Sequence, residues 1–239
     1  MKLIADTHTH TISSTHAYST AQEMIAAAAN RGLYALALTD HGYAMPGSPG
    51  PWFFESLGAI PKYVNGVRVL KGVEANVMDL DGRLDIQDNV LASLEWVVAS
   101  IHGGLCSGKP DIASCTNAYL KLADNPYIRV IGHSGTPEYK YDYERVIPVF
   151  AKKGKLIEIN NNSFYFRKSS CENCLEIAKV CKKFGAMIVV NSDAHFSSKV
   201  GECAQALELL KGIDFPEELI VNSDEDRFKS YLIKNGISV

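Results

Sequence analysis

The sequence predicts an α/β fold, namely a parallel barrel or a close distortion of one, from three observations. Its 239 residues fall within the roughly 200 to 250 residues that are typical of such barrels. Seven short apolar runs recur along the chain, with helical signals between most of them. The runs are continuously apolar rather than alternating, which is typical of parallel strands buried on both faces. An open doubly wound sheet remains the alternative at this point.

The seven predicted strands extend over most of the chain. They are residues 3–5, 34–38, 68–73, 96–101, 128–131, 156–159 and 187–190. No internal repeat, low-complexity segment or linker-like composition separates them. We therefore expect residues 1–239 to form a single domain.

The first predicted helix has signals at both ends. Thr20 and Glu23 form a capping-box pattern before residues 24–30, because each side chain can accept a hydrogen bond from the backbone of the other. Gly32 stands where a glycine commonly ends a helix. The pattern therefore predicts a helix between the first two strands.

The second half of the chain contains three clear helical patterns and one conflict. Residues 171–184, 202–211 and 224–234 are predicted helices, the last with Ser223 as its N-cap. Pro148 lies inside another helical stretch. Because proline has no N–H donor, it predicts a kink there or a late helix start.

The composition excludes several classes of partner. A net charge of -3 and a pI near 6.2 leave no basic stripe for nucleic acid and no polybasic patch for a membrane. The amino terminus has too short an apolar stretch for a signal peptide, and no run approaches the roughly 18 apolar residues of a membrane span. We expect a cytoplasmic protein whose six cysteines are free thiols. The sequence indicates no oligomeric state.

All seven histidines, one glutamate and one aspartate lie just beyond predicted strands. His8 and His10 follow the first run, with His16 in the loop beyond them; His41 follows the second, Glu74 the third, His102 the fourth, His133 the fifth, and Asp193 and His195 the seventh. In a parallel barrel the carboxyl ends of all strands face one mouth. We therefore expect these nine side chains to converge in one pocket.

Imidazole and carboxylate groups in this number predict a metal cluster. Nine ligands are too many for one tetrahedral or octahedral ion, so two or three divalent ions are implied, zinc above all, with manganese and iron as alternatives. In extended backbone, His8 and His10 point to the same side, and so do Asp193 and His195, because side-chain direction has a period of two. Such a cluster keeps a net positive charge, which favours anions such as phosphate.

Other residues and one loop near these positions each allow two interpretations. Asp6 and Asp40 could orient neighbouring imidazoles, or could simply cap turns. Arg167 follows the sixth run, where its planar fork suits a pair of phosphate oxygens, although a solvated loop arginine would look the same. The loop at residues 42–61 has the length of a lid, with a packed surface loop as the alternative.

Several short segments that contain the proposed ligands resemble known sequence motifs. They are Asp6-Thr7-His8-Thr9-His10, His16, Thr39-Asp40-His41, Gly72-Val73-Glu74-Ala75-Asn76, His102, Gly132-His133 and Ser192-Asp193-Ala194-His195. Together they resemble the motifs of the PHP (polymerase and histidinol phosphatase) superfamily over nearly the whole chain. Residues 14–19, 158–161 and 214–216 resemble its YcdX-type phosphatase branch.

This resemblance implies a distorted (β/α)7 TIM-like barrel with a trinuclear metal site at the carboxyl ends of its strands. It also implies hydrolysis of a small phosphorylated substrate, a phosphomonoester, by a metal-bound hydroxide. Glu74, Asp193 and Arg167 are the expected catalytic residues. The implied ligands are His8, His10, Glu74 and Asp193 for one ion, Glu74, His102 and His133 for the second, and His16, His41 and His195 for the third.

Three other functions remain open at the level of sequence. An amidohydrolase or deacetylase also has an HxH motif, but its expected bridging lysine is replaced here by Glu74. A phosphodiesterase or exonuclease of the same superfamily is disfavoured by the weakly acidic chain, because strand binding needs a basic groove. A non-catalytic metal-binding module would be expected to lack some ligands, whereas this set is complete.

Overall fold

The computed structural model describes residues 1–166 and 168–239, and its centre is a parallel sheet. The strands are β1 (Ala5–Asp6), β2 (Ala35–Leu38), β3 (Tyr63–Val64), β4 (Val67–Asn76), β5 (Trp96–Ser100), β6 (Val130–Ile131), β7 (Leu156–Asn160) and β8 (Ile188–Asn191). Seven of them are parallel in the order β1-β2-β4-β5-β6-β7-β8, and β3 pairs antiparallel with β4. All seven predicted strands are thus confirmed.

Helices connect most of the strands and cover the outside of the sheet. They are α1 (Ala21–Asn30), α2 (Pro51–Glu55), α3 (Asp88–Ser93), α4 (Ile112–Asp124), α5 (Tyr143–Lys153), α6 (Ser163–Phe166), α7 (Cys171–Phe184), α8 (Ala204–Gly212) and α9 (Glu225–Lys234). Within residues 1–166 and 168–239, no helix is both long and apolar enough to cross a bilayer.

The predicted helix signals are confirmed for α1 and α7. The Glu23 N–H donates to Thr20 Oγ1 at 3.3 Å, and the Thr20 N–H donates to Glu23 Oε2 at 2.7 Å, so the capping box is complete. Helix α7 covers the predicted residues and ends at Gly185, whose φ of 65° is the left-handed conformation that glycine adopts without strain.

Helix α9 has a different N-cap from the predicted one, and helix α5 does not have the late start that Pro148 allowed. Helix α9 is capped by Asp224, whose carboxylate accepts from the Arg227 N–H at 2.9 Å, whereas the Ser223 hydroxyl donates backwards to a carbonyl. The Ser223 cap was therefore wrong. Helix α5 begins at Tyr143 with a cap from Asp142, so Pro148 lies inside the helix and does not delay its start.

The sheet closes nearly into a barrel where β1 approaches β8. Beyond the two strands, Thr9 forms a parallel bridge with Ala194. Nearer the amino ends, the Asn222 amide donates to Ala5 O at 2.8 Å and to Val190 O, and accepts from the Val190 N–H at 3.0 Å. The Asn191 side chain also accepts from the Thr7 N–H at 2.8 Å, so side chains provide much of the hydrogen bonding between β1 and β8. These contacts make the fold a distorted TIM-like barrel rather than an open sheet.

The barrel interior is apolar towards its amino end. One buried cluster takes at least one residue from each of the seven parallel strands and joins them to Phe228, Tyr231 and Leu232 of α9. Helix α9 therefore packs against the amino end of the barrel. Polar and titratable side chains take over towards the opposite end, where the strands finish.

Candidate metal centre

Glu74, near the end of β4, is the centre of the polar mouth of the barrel. Its side chain is 1% exposed. Five imidazoles surround its two oxygens. Oε1 lies 2.9 Å from His133 Nε2, 3.3 Å from His8 Nε2 and 3.4 Å from His102 Nε2. Oε2 lies 2.7 Å from His41 Nδ1 and 3.5 Å from His10 Nε2. Five histidines from four segments of the sequence therefore meet at one carboxylate.

Asp193 forms a second focus on the side of β8. Its Oδ1 lies 3.2 Å from His10 Nε2, 3.7 Å from His8 Nε2 and 3.6 Å from His195 Nδ1. Asp193 has a φ of 55° and His133 a φ of 23°. Non-glycine residues with positive φ are uncommon and often occur at functional sites. The backbone is thus bent where these two side chains turn into the mouth.

His16 completes the group at its outer side. His16 Nε2 lies 3.2 Å from His41 Nε2, and its ring centroid lies 4.9 Å from that of His41 and 4.7 Å from that of His195. The rings of His41 and His195 are 6.1 Å apart. The structure therefore brings together all nine side chains for which the sequence predicts metal binding.

The donor atoms fit divalent metal ions. His8 Nε2, His10 Nε2 and Glu74 Oε2 are buried and make no hydrogen bond to any described residue, although each lies near another ligand atom. Such atoms are costly unless a ligand satisfies them. Three sets of ligand atoms lie within 4.8 Å of one another: His10, His41 and His195; His8, His10 and Asp193; and His41, Glu74 and His102. The sets share residues, as expected for neighbouring ions.

The charges of the group keep the carboxylates ionised. Burial alone would raise the pKa of Glu74, but His8, His102 and His41 outweigh it and hold this pKa well below the usual value. The pKa of Asp193 is likewise held well below its usual value, since nearby histidines outweigh burial. Burial, reinforced by His41 and His195, lowers the pKa of His10 well below the usual value. Burial would lower the pKa of His8, but Glu158, Glu74 and Asp193 outweigh it and raise this pKa well above the usual value. Ionised carboxylates and neutral imidazole are the forms that bind metal, so His8 would release a proton when an ion binds.

Glu158 on β7 orients two of the histidines. Its Oε1 lies 2.8 Å from His8 Nδ1, and its Oε2 accepts from the His133 backbone N–H at 2.8 Å. Burial would raise the pKa of Glu158, but His8 lowers it overall. His8 therefore donates through Nδ1 and presents Nε2 to the mouth. In the sequence, Glu158 stands out only as part of the segment at residues 158–161 that resembles the YcdX-type branch, although a lone carboxylate in an apolar run is a second signal.

Asn76 and Asp85 orient His102 in a similar way. His102 Nδ1 lies 2.7 Å from Asn76 Oδ1, and Asn76 Nδ2 donates to Asp85 Oδ2 at 2.6 Å. The acceptor Asp85 fixes which end of the amide faces His102, so that His102 donates through Nδ1. Asp85 also accepts from the Ala44 N–H at 2.8 Å. No local sequence pattern indicated this role for Asp85.

Asp6 and Asp40 organise loops. Asp6 accepts from the backbone N–H of Ser192 at 3.2 Å and of Gly201 at 2.7 Å. These contacts match the turn-capping alternative in the prediction for Asp6. Asp40 accepts from the Ser14 hydroxyl at 2.7 Å, and Ser14 Oγ lies 3.4 Å from His10 Nδ1. Asp40 is thus linked to the His10 imidazole through Ser14.

Two other predictions concern the rim. Arg167 lies outside the described residues. The loop at residues 42–61 packs into the main core through Phe54 and Leu57, while Trp52 is 83% exposed. The loop is therefore anchored at its centre, as the packed-loop alternative expects.

Comparison with known proteins places these features in a family. The family model described as PHP domain matches residues 6–162. A probable phosphatase of Thermoanaerobacter sp. (strain X514) is 46% identical over 233 residues, covering 97% of this chain and 95% of the relative. A probable phosphatase of Acetivibrio thermocellus is 44% identical over 232 residues, covering 97% and 96%.

A solved structure shares the fold at much lower identity. It is the histidinol phosphate phosphatase of Lactococcus lactis subsp. lactis Il1403, in complex with zinc, L-histidinol and phosphate. It is 15% identical with a TM-score of 0.62, and the match covers 90% of this chain and 95% of that one. The resemblance found in the motifs is confirmed, and the chain belongs to the PHP domain family.

Proposed function

We propose that this protein is a metal-dependent phosphatase that hydrolyses a small phosphomonoester at a trinuclear centre. The observation that carries the proposal is the environment of Glu74, whose buried carboxylate is in contact with five imidazoles. A site with seven neutral imidazoles and two carboxylates leaves most of the charge of three divalent ions uncompensated, which favours an anionic substrate. The names of the relatives support a phosphatase.

The proposed assignment of ligands follows the family pattern. One ion takes His8, His10, Glu74 and Asp193, a second takes Glu74, His102 and His133, and a third takes His16, His41 and His195. His41 supports this division, because its Nε2 faces His16 while its Nδ1 faces Glu74. Zinc is the preferred ion, since imidazole-rich sites suit it and the histidinol phosphate phosphatase that shares the fold was solved in complex with zinc.

Bound ions would neutralise phosphate oxygens and lower the pKa of a water molecule to about 7. The chain itself then has three tasks. The carboxylates of Glu74 and Asp193 stay ionised in the cluster, as their lowered pKa values indicate. Glu158 and Asn76 fix the orientation of two imidazoles. We propose that Arg167 contacts the phosphate, because its planar guanidinium suits a pair of phosphate oxygens.

The test is a comparison of three substrate classes with zinc-loaded and manganese-loaded protein. We expect release of inorganic phosphate from a simple alkyl phosphomonoester and none from the matching diester, with no hydrolysis of an acetylated amide. Glu74→Gln serves as the control for contaminating phosphatases. Cleavage of the diester or the amide without phosphate release from the monoester would overturn the proposal.

A further inference from the structure

A groove opens at the amino end of the barrel, on the face opposite to the metal centre. It has a volume of about 390 Å³, within the usual range for small-molecule sites. Three segments form it: residues 151–156, where α5 turns into β7; Gly185 and Met187, between α7 and β8; and one face of α9. Because the metal ligands lie at the carboxyl ends of the strands, this groove is separate from the site of the proposed phosphatase reaction.

Five cationic side chains line this groove, and none of the described residues in its lining is acidic. They are Lys152, Lys153, Lys155, Arg227 and Lys234. The chain as a whole carries a net charge of -3, so the groove is a local reversal of the sign of the charge. A positive groove of this kind attracts anions from solution.

Helix α9 presents a cationic face to the groove. Its residues Arg227, Ser230, Tyr231 and Lys234 all line the groove, and at this spacing they lie on one side of a helix. A lysine in the last turn offsets the helix dipole, which accounts for Lys234, but a cation in the first turn opposes the dipole. Arg227 occupies the first turn and is held there by a hydrogen bond from Nη1 to the Ile220 carbonyl at 2.7 Å. The arginine is therefore in place although the helix disfavours a cation at this position.

Lys155 brings a buried positive charge to the groove. It is 7% exposed, and its ammonium group donates to the Asn125 carbonyl at 2.6 Å and to the Ile128 carbonyl at 2.8 Å. Burial, together with the charges of Arg129 and Lys153, lowers the pKa of Lys155 to about 8. Lys155 is therefore still mainly protonated at neutral pH in surroundings that are already positive, and a nearby anion would stabilise its charged form.

The chain neutralises only part of this positive charge. Asp124 pairs with Lys153 at 2.9 Å. Within residues 1–166 and 168–239, no ion pair involves Lys152, Arg227 or Lys234. Three unpaired cations exceed the charge of about -2 on a single phosphate group, so they fit a ligand that carries two such groups.

We propose that this groove binds a small anion with two phosphate groups, at a site separate from the metal centre. Both arginine and lysine bind phosphate, arginine through its planar fork and lysine as a point charge. The ligand is a small molecule rather than a nucleic acid strand, because the positive charge is confined to one groove of a weakly acidic chain. The proposal goes beyond the phosphatase reaction and does not depend on it.

The first test is an NMR titration of the zinc-loaded protein with ethane-1,2-disulfonate and with ethanesulfonate. These probes carry two and one tetrahedral anionic groups, a phosphatase does not cleave their carbon–sulfur bonds, and sulfonates bind zinc only weakly. We expect the disulfonate to shift the backbone amide signals of Gly154 and Gly185, with a Kd roughly tenfold lower than that of ethanesulfonate at low salt. Equal Kd values for the two probes would overturn the assignment of two anion positions. The absence of a shift at both glycines would overturn the site itself.

Matched charge variants then locate the site. The double variant Lys152→Gln/Lys234→Gln removes two cations that line the groove. The control, Lys109→Gln/Lys211→Gln, removes two exposed lysines outside this lining. Both variants change the net charge equally, but only the groove variant should raise the Kd for the disulfonate, by roughly tenfold. Amide signals outside the groove show whether each variant is folded. An equal rise in both variants would show unspecific attraction and contradict the proposal.

A third probe separates a small ligand from a nucleic acid strand. At about 0.15 M salt, where unspecific attraction is screened, a short thymidylate oligonucleotide should bind no more tightly than the disulfonate. Tighter binding of the oligonucleotide that Lys152→Gln/Lys234→Gln abolishes would overturn the assignment of a small molecule to this groove.

Discussion

The barrel buries a charged side chain at its amino end and a cluster of ionisable side chains at its carboxyl end. The two differ in whether the chain supplies their hydrogen-bond partners. At the amino end the Arg68 guanidinium is fully buried and donates to the Val69 and Ser238 carbonyls while it pairs with Glu95. At the carboxyl end, atoms of His8, His10 and Glu74 face one another without hydrogen bonds to described residues. The chain thus supplies the partners of the buried Arg68 guanidinium, whereas the cluster at the carboxyl end is arranged for ligands that the chain does not supply.

This contrast explains why buried charge means different things within one fold. A buried ion pair with complete hydrogen bonding serves mainly to avoid an unpaired charge. A cluster of buried ligand atoms that face one another without hydrogen bonds lowers the stability of the fold until a metal ion binds. Such a cluster is therefore retained for function. Substitutions at the two ends should separate stability from metal binding.

The largest expected effect is that of Glu74→Gln. Loss of the central carboxylate should abolish stable metal binding and lower kcat/KM by about a thousandfold or more, which corresponds to about 4 kcal/mol. Metal analysis and phosphate release measure both losses. Glu95→Gln, the same substitution at the amino end, should keep its metal. Full metal content and activity in Glu74→Gln would refute the proposed ligand set.

Asn222→Ala should produce the largest loss of stability at the seam of the barrel. It removes the hydrogen bonds of the side chain to Ala5 and Val190 and leaves buried backbone groups without partners, at a cost of about 2 to 3 kcal/mol. Urea unfolding of the metal-free protein measures this loss. Asn235→Ala, which removes one half-buried bond to Tyr231, should cost less, and an equal loss in both variants would argue against the role of Asn222.

Glu158→Gln should weaken the metal centre without removing a ligand. Because Glu158 holds His8 and the backbone of His133, its neutralisation is expected to lower metal affinity or activity by about 10- to 100-fold. Competition with a zinc chelator gives the affinity. Glu176→Gln is the surface control, since Glu176 is exposed and pairs with exposed Lys179. Unchanged zinc affinity in Glu158→Gln would contradict the proposed role of Glu158 in orienting the metal ligands.

The smallest expected effect is the pH-dependent stability of the Arg68–Glu95 pair. Burial would raise the pKa of Glu95, but the hydrogen bond from Arg68 and its charge lower it below the usual 4.5. The pair therefore stabilises the fold above about pH 4.5, and this contribution is lost as pH falls through the folded pKa. Since only the Arg68 side of the pair is fully buried and Glu95 is partly exposed, we expect Glu95→Gln to cost about 1 kcal/mol near neutral pH. A difference from the wild type that does not shrink in acid would contradict this.

The sequence predicted the strands and the converging histidines because both leave local patterns. A parallel strand buried on both faces is a continuous apolar run, and a ligand at the mouth stands just beyond it, as Glu74 and His133 do. The start of α9 was predicted one residue early, because Ser223 and Asp224 are both good capping residues and only the fold decides between them.

The supporting residues could not be predicted in the same way. Asp85 lies in a loop, and its contact with Asn76 depends on how that loop returns to the end of β4. Asn222 is distant in sequence from both strands that it joins. Such roles follow from tertiary geometry rather than from local periodicity.

The most direct measurement is anomalous diffraction from crystals of the protein grown with zinc, with data collected above and below the zinc absorption edge. The account predicts three peaks at the carboxyl end of the barrel, with the nine proposed ligand side chains at about 2.0 to 2.3 Å from them. A mouth without anomalous density, or zinc bound only elsewhere on the protein, would contradict the central claim.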